Sequence, residues 1–371
     1  MVDKQNTLPL IILTAGGTGG HVFPAESLAE ELSARGYKLA LVTDSRGKNN
    51  YQGKLGQITN YSVCAGALVG KSKLFKIKSL FKTCIGIIQA TIILLKHKPI
   101  CVVGFGGYAS FPCSIAAVLL GIDLVIHEQN SVMSRTNRFL GKYATFIAQS
   151  FQKTKYVPSH TPNVLTGMPI RQSIAELHKK TYTTKNKNNK FRILVIGGSQ
   201  GAKIFGDIIP KAIKKLPIEL QKNLQIFHQC RKEDYEAVKS NYTNCSAEIN
   251  INHFFNNMAD LYSETSLIIS RAGASSIAEI TAAKLPSILI PLPTAADNHQ
   301  EINAQAIQNN NAGIIINQNN LSSDYLAEKI KLFLQNEDQL KIMSEQTKKI
   351  SIIDASRRLA DNIEQKIIYT S

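Results

Sequence analysis

The stretch LTAGGTGGHVFPA, residues 13–25, decides how the first half of the chain is read. It closes the apolar run LPLIILTA (8–15), sets glycines at positions 16, 17, 19 and 20, and ends them on His21. An apolar run this short, stopped by glycines, has the length of a buried strand and not of a membrane span. Immediately after it, PAESLAEELSARG (24–36) places Leu28 and Leu32 four apart, glutamates on the other face and Gly36 at the end. That is an amphipathic helix with a glycine stop. YKLALVT (37–43) follows as a second strand. Strand, tight turn, helix and strand make a βαβ unit.

The theme recurs. ICVVGFGGYAS (100–110) is an apolar strand ending in Gly104, Gly106 and Gly107, and DLVIHEQN (123–130) is a strand with a polar cluster at its C-terminal end. FRILVIGGSQGAKIF (191–205) repeats the opening about 180 residues later, with Gly197, Gly198, Ser199 and Gly201 between strand and helix. Further strands are expected near 193–197, 224–229, 266–270 and 287–291. A helix is expected from near Ser275, a turn, strand and turn over 308–320, and a helical tail over about 350–371. Short β runs alternating with helices give an α/β chain of two doubly wound, Rossmann-like parallel sheets. The domains are expected at 1–165 and 166–349, with the tail packing back on the first. Pro158, Pro162 and Pro169 punctuate the boundary, and KKTYTTKNKNNK (179–190) reads as a solvated loop. Open parallel sheets bind ligands outside the carboxyl ends of their strands, and every motif above sits at such an end. Two domains facing each other would bring those ends to one cleft.

Composition narrows the partners. Against 27 Asp and Glu the chain carries 43 Lys and Arg, a formal charge of +16, which favours an anionic partner or a lysine-rich surface. The six cysteines, at 64, 84, 101, 113, 230 and 245, form no C-x-x-C pair and read as buried, reduced thiols. IGIIQATIILL (85–95) is interrupted by Gln89 and falls short of a bilayer span, so nothing is expected to cross a membrane. No secretory signal and no nucleic-acid motif is visible, and nucleic acid is not an expected partner.

Glycine turns that end at a helix start let the backbone approach a ligand and present N–H groups to an anion. Sugar nucleotides and dinucleotides both suit this. The dinucleotide fingerprint G-x-G-x-x-G fails, because Val22 takes the third glycine position counted from Gly17 and Ser199 the second counted from Gly197. Asp44 after the second strand is all that remains of that reading. SRAGASSIAEI (270–280) runs strand, Arg271, Gly273, helix, and offers a diphosphate seat at the helix N-terminus. Glu279 there either accepts from ribose hydroxyls or closes a capping box with Ser276. PTAADNHQEINA (293–304) adds Asp297, Gln300 and Asn303, polar groups able to read sugar hydroxyls. No Asp-x-Asp occurs, so neither a metal nor another cofactor is expected, and a leaving diphosphate would be stabilised by helix dipole and backbone N–H groups.

Taken in order, GGTGGHVFPA, GFGGYAS, HEQN, GGSQGA, SRAGASSIAE and DNHQEINA span most of the chain and resemble the MurG family of peptidoglycan synthesis. The resemblance implies the GT-B fold, with an acceptor-side N-terminal domain and a UDP-GlcNAc-binding C-terminal one. It also implies inverting transfer of GlcNAc from UDP-GlcNAc to undecaprenyl-diphosphate-linked MurNAc-pentapeptide (lipid I) at the cytoplasmic membrane face. Carried over by motif, His21 is the candidate general base or its orienting neighbour, as imidazole titrates near neutrality. Asn130 would face donor or acceptor, with Glu128, counted with His21 among the catalytic residues, supporting it. Thr18, Gly19 and Gly20 would lie near the donor. Arg171 and Ser199 would meet nucleotide or diphosphate, and Phe255 would pack near uracil. Ala274, Ser275, Ser276, Ile277, Ala278 and Glu279 would bind diphosphate and ribose, and Gln300 the GlcNAc hydroxyls. Two departures stand out: Met168 where Asn usually precedes the proline, and Ser276 where Thr is common.

ALVGKSKLFKIKSLFK (67–82) interleaves five lysines with seven large apolar residues and has no acid. Such a segment either lies on anionic lipid or packs on the core, and a lipid-linked acceptor favours the lipid. The rival readings are a UDP-GlcNAc 2-epimerase, a nicotinamide oxidoreductase and a non-catalytic membrane adaptor. The epimerase has no use for the 67–82 surface.

Overall fold

The structure, a computed structural model, describes residues 9–16, 19–45, 51, 53–66, 73–198 and 201–369, with backbone alone at 73 and 74. The chain forms two compact units, Met1–Arg171 with Asp354–Ser371, and Gln172–Ile353. The crossing therefore falls after Arg171 and not after 165, because β7 and the segment behind it stay with the first sheet.

The first unit holds seven parallel strands: β1 Leu10–Thr14, β2 Lys38–Thr43, β3 Thr59–Ser62, β4 Cys101–Gly104, β5 Asp123–Glu128, β6 Phe146–Gln149 and β7 Asn163–Leu165. They are ordered β3-β2-β1-β4-β5-β6-β7. Side chains alternate across β1, and the two faces build two cores. Ile11 and Leu13 pack with Leu28 and Leu32 of helix Gly19–Ala34 and with Leu359 and Ile363 of helix Ala355–Ile363. Ile12 packs on the opposite face with Ala90 and Leu94 of helix Lys73–His97 and with Cys113 and Ala116 of helix Phe111–Leu119.

The C-terminal helix is tied on by charge as well as packing. Arg35 pairs with Glu31 at 2.8 Å, Asp361 at 2.7 Å and Glu364 at 2.6 Å, and Tyr37 Oη donates to Glu364 at 3.0 Å.

The second unit holds β8 Phe191–Ile196, β9 Leu224–Gln229, β10 Glu248–Asn252, β11 Leu267–Ser270, β12 Ser287–Leu289 and β13 Gly313–Ile315. These are also parallel and ordered β10-β9-β8-β11-β12-β13. In each sheet the order reverses once, between β1 and β4 and between β8 and β11. Those reversals are the topological switch points at which doubly wound sheets bind ligands.

Three expectations are corrected. Helix Gly19–Ala34 begins at the glycines, not at Pro24, which lies inside it. Pro24, the sixth residue of that helix, lacks the N–H that would bond the Gly20 carbonyl, and the apolar face of Leu28 and Leu32 carries the helix through it. Of the cysteines, Cys101, Cys113 and Cys230 are buried, Cys64 and Cys245 are partly buried, and Cys84 is exposed; all six are free.

The third concerns the long helix. Phe75–His97, 23 residues, is long and apolar enough to cross a membrane by length and composition. The 85–95 run alone underestimated it. In this fold the helix joins parallel strands β3 and β4 and contributes Ala90 and Leu94 to the core, so it returns the chain along the sheet. Its inward stripe is small, with Ser79, Thr83, Gly86, Ala90 and then Leu94. A Cβ on Gly86 would overlap the Cys64 carbonyl, so the helix packs close to the sheet. Its outward stripe is large and apolar, with Ile77, Phe81, Ile88, Ile92 and Leu95 all exposed. Exposed lysines 76, 78, 82 and 96 flank it.

Candidate functional site

At the first switch point, β1 leads into the helix that opens at Gly19 and Gly20, and β4 leads into the Phe105–Gly107 turn. His21, in the first turn of that helix, joins the two: its Nδ1 lies 2.8 Å from the Phe105 carbonyl oxygen. A carbonyl only accepts, so Nδ1 carries the proton and the lone pair resides on Nε2. Gly107 takes φ 75°, and a Cβ there would stand 3.4 Å from Cδ2 and 3.5 Å from Nε2 of the same ring. It is the left-handed φ, more than space, that calls for glycine beside the imidazole.

Behind His21 the HEQN segment is a buried scaffold. Gln129 Nε2 donates to the same Phe105 carbonyl at 2.6 Å. His127 is fully buried with Nε2 3.1 Å from the Gly167 carbonyl oxygen, and burial pushes its pKa down to about 4. Glu128 is also fully buried, and burial raises its pKa. Its Oε1 accepts from the Asn130 backbone N–H at 3.0 Å and from Asn130 Nδ2 at 3.4 Å. Its Oε2 accepts from the Ser134 N–H at 3.0 Å and from Asn137 Nδ2 at 2.8 Å. This corrects the expectation of a catalytic Glu128: the carboxylate is spent on organising the 130–137 loop, and partly exposed Asn130 is what it presents. Arg171 lies over the Phe23 ring at 5.3 Å, within the first unit. Met168 is buried and accepts from Ser150 Oγ at 3.6 Å, so the departure at this position is absorbed as packing.

At the second switch point, β11 ends in Arg271 and Gly273, and helix Ala274–Ala282 begins. Gly273 is its N-cap and no side chain caps it. The first-turn amides therefore form the anion-seeking end of the helix. Ser275, Ser276 and Ala278 are partly exposed, whereas Ala274 and Ile277 point into the core. Ala274 can thus offer a ligand its backbone N–H group. The capping-box alternative fails as well. Ser276 is not the N-cap, and buried Glu279 accepts from Tyr262 Oη at 3.0 Å through Oε2.

Arg271 is a brace. Its guanidinium donates to the carbonyls of Ile290 and Pro291 at 3.0 and 3.2 Å and to Gln318 at 2.7 Å. Gln300 Oε1 accepts from the N–H groups of Ala272 at 3.2 Å and Leu292 at 3.0 Å. That fixes the side chain beside the helix start and leaves its Nε2 end as the donor for a ligand. Asp297 and Asn298, at φ 50° and 52°, make the strained turn that delivers it.

Phe255 is buried and packs on Phe227, with centroids 5.9 Å apart, so it cannot stack on a base. Its neighbour Phe254 is 63% exposed. Thr18 and Ser199 lie outside the described residues. Among the described residues no group of three or more His, Cys, Asp or Glu comes together as a metal site.

Both units match known domains, the glycosyltransferase family 28 N-terminal domain over residues 11–149 and the family 28 C-terminal domain over residues 192–359. A relative from Paramagnetospirillum magneticum is 40% identical over 355 residues, 95% of each chain. It is named UDP-N-acetylglucosamine--N-acetylmuramyl-(pentapeptide) pyrophosphoryl-undecaprenol N-acetylglucosamine transferase. The chain belongs to the MurG family. The crystal structure of Acinetobacter baumannii MurG superimposes with a TM-score of 0.76 at 29% identity, covering 96% of this chain and 99% of that one. With two parallel-sheet Rossmann-like units and this neighbour, the fold is GT-B. A putative UDP-N-acetylglucosamine 2-epimerase from Listeria monocytogenes, with a TM-score of 0.70, 12% identity and 98% of each chain covered, shares the fold alone.

Proposed function

We propose that this MurG-family chain transfers GlcNAc from UDP-GlcNAc to the 4-hydroxyl of MurNAc-pentapeptide in lipid I, giving lipid II for peptidoglycan, with inversion to a β-linkage. The observation that carries the mechanism is the His21 Nδ1 contact with the Phe105 carbonyl. It fixes the tautomer a general base requires. His21 Nε2 takes the proton of the acceptor hydroxyl as that oxygen forms its bond to the anomeric carbon. The bond from that carbon to the diphosphate breaks through an oxocarbenium-like transition state, and the electron pair leaves with UDP. Negative charge developing on the diphosphate is met by the amides and dipole at the start of helix Ala274–Ala282. Thr18, Gly19, Gly20, Arg171 and Ser199 complete the phosphate and sugar contacts. Glu279 takes the ribose, Gln300 Nε2 the GlcNAc hydroxyls, and Phe254 the uracil. Asn130 faces the reacting sugars, with Glu128 as its positioning residue.

The enzyme works as a peripheral protein on the cytoplasmic face of the cell membrane. What supports this is the inverted amphipathicity of helix Lys73–His97, with small residues inward, large apolar ones outward and lysines at the border. Anionic lipid satisfies both the apolar stripe and the lysines. The surplus positive charge thereby has a bilayer partner, and nucleic acid is not required. The expected 67–82 segment lies partly outside the described residues, and the apolar stripe runs beyond it to Leu95. The epimerase reading rests on fold likeness only and has no use for this surface.

The test is His21→Gln. Loss of the base should lower kcat by about 10²–10⁴-fold, with UDP-GlcNAc affinity within about twofold of wild type. Wild-type kcat in that variant would remove His21 as the base.

A further inference from the structure

Glu279 is buried yet placed in the segment that the preceding reading gives to ribose. A carboxylate at such a position must be aimed, because a hydrogen bond to a vicinal diol depends on distance and angle. The aiming group is not in the motif. Tyr262 lies in helix Met258–Ser263, is itself buried, and donates from Oη to Glu279 Oε2 at 3.0 Å across a separation of 17 residues. The same short helix is reached directly from the Phe254–Asn257 segment, which carries the exposed aromatic. One element therefore connects the base-facing ring to the ribose-facing carboxylate.

We infer that Tyr262 is a positioning residue for nucleotide recognition: its hydroxyl, bonded to Oε2, holds the Glu279 carboxylate in the orientation in which it meets the ribose diol. This rests on the reading of Glu279 as the ribose ligand. A carboxylate already held by a buried hydroxyl loses little further rotational freedom when the nucleotide arrives, and preorganisation of this kind is expressed in binding. A buried tyrosine that merely needed an acceptor would leave ribose recognition untouched when replaced by phenylalanine.

The experiment measures binding of UDP and 2′-deoxy-UDP by calorimetry, and KM and kcat for UDP-GlcNAc, in wild type and Tyr262→Phe. Hydrogen bonds to an ionised group predict that wild type prefers UDP over 2′-deoxy-UDP by about 10- to 100-fold. In Tyr262→Phe, KM for UDP-GlcNAc should rise about 5- to 20-fold on the same basis, kcat should stay at the wild-type level, and the preference should shrink to a few-fold. An undiminished preference in folded Tyr262→Phe overturns the proposal while leaving the ribose reading intact. A wild-type enzyme indifferent to the 2′-hydroxyl overturns the ribose reading itself, and the proposal with it.

Discussion

Replacing Phe81, Ile88 and Ile92 together by glutamine should detach the enzyme from anionic membranes without disturbing its fold. The three side chains are 68%, 62% and 61% exposed and lie on one stripe of helix Lys73–His97. Fully burying a side chain of this kind contributes about 1.5–3 kcal/mol, so inserting the exposed share of each yields about 1–2 kcal/mol. Three together come to about 3–5 kcal/mol, more than a hundredfold in partition. Glutamine is at least as good a helix former as isoleucine or phenylalanine, so the helix itself is not weakened. The assay is co-sedimentation with vesicles containing phosphatidylglycerol, compared with phosphatidylcholine alone, at low and high salt. Wild type should bind the anionic vesicles and lose only part of that binding in salt. The variant should keep a weak, salt-sensitive attachment through Lys76, Lys78, Lys82 and Lys96. Unchanged vesicle affinity in a variant with wild-type thermal stability would refute the reasoning that the outward apolar stripe is a lipid-facing surface.

Two further outcomes follow from buried and bridged charges. His127 and His228 are buried neutral, with pKa values lowered by burial from 6.5 to about 4. The unfolded chain therefore takes up protons that the native one refuses as pH falls from 6.5 to 4, costing up to about 3 kcal/mol each. Above pH 6.5 this penalty vanishes. Glu128, whose pKa burial raises, works in the opposite sense and offsets part of it in the first unit. Urea denaturation at pH 7, 5.5 and 4.5 should show stability falling, and a flat profile would contradict the burial argument. Arg35→Ala removes the cation shared by Glu31, Asp361 and Glu364 and should cost about 1–3 kcal/mol. Calorimetry should show the transition of the first unit lowered by several degrees, with trypsin cutting the C-terminal helix sooner.

The central strands other than β6 were legible because they are near-continuous apolar runs, several closed by glycine, the signature of strands buried on both faces. Of the edge strands β13 was legible as the apolar run within 308–320, and the other three were not. β3 is TNYS, β10 is EININ and β7 has three residues, and polar or very short segments at a sheet edge carry no apolar run to read. Helix Lys73–His97 could be seen to be apolar, but not which way it faces. The deciding feature is that its small residues, not its large ones, approach the sheet. In the site, His21 and the helix after Gly273 were legible from glycines at strand ends. Which atom of His21 carries the proton depends on the Phe105 carbonyl, 84 residues away. Glu128 was read as a catalytic residue supporting Asn130, and Gln300 as a group facing the GlcNAc hydroxyls. Their oxygens are instead committed to backbone N–H groups, a demand that burial makes and motif spacing does not reveal. Phe255, read as packing near a base, is buried against Phe227, and nothing in the motif reveals that burial.

The most direct measurement is release of UDP from UDP-GlcNAc by the purified protein, with and without a lipid I analogue, together with analysis of the sugar product. The account predicts release only when the acceptor is present, matched one for one by a β-linked disaccharide on the lipid. Acceptor-independent release with free sugar as the product would contradict it and favour epimerase chemistry, and nucleotide binding without any release would reduce the chain to a non-catalytic adaptor.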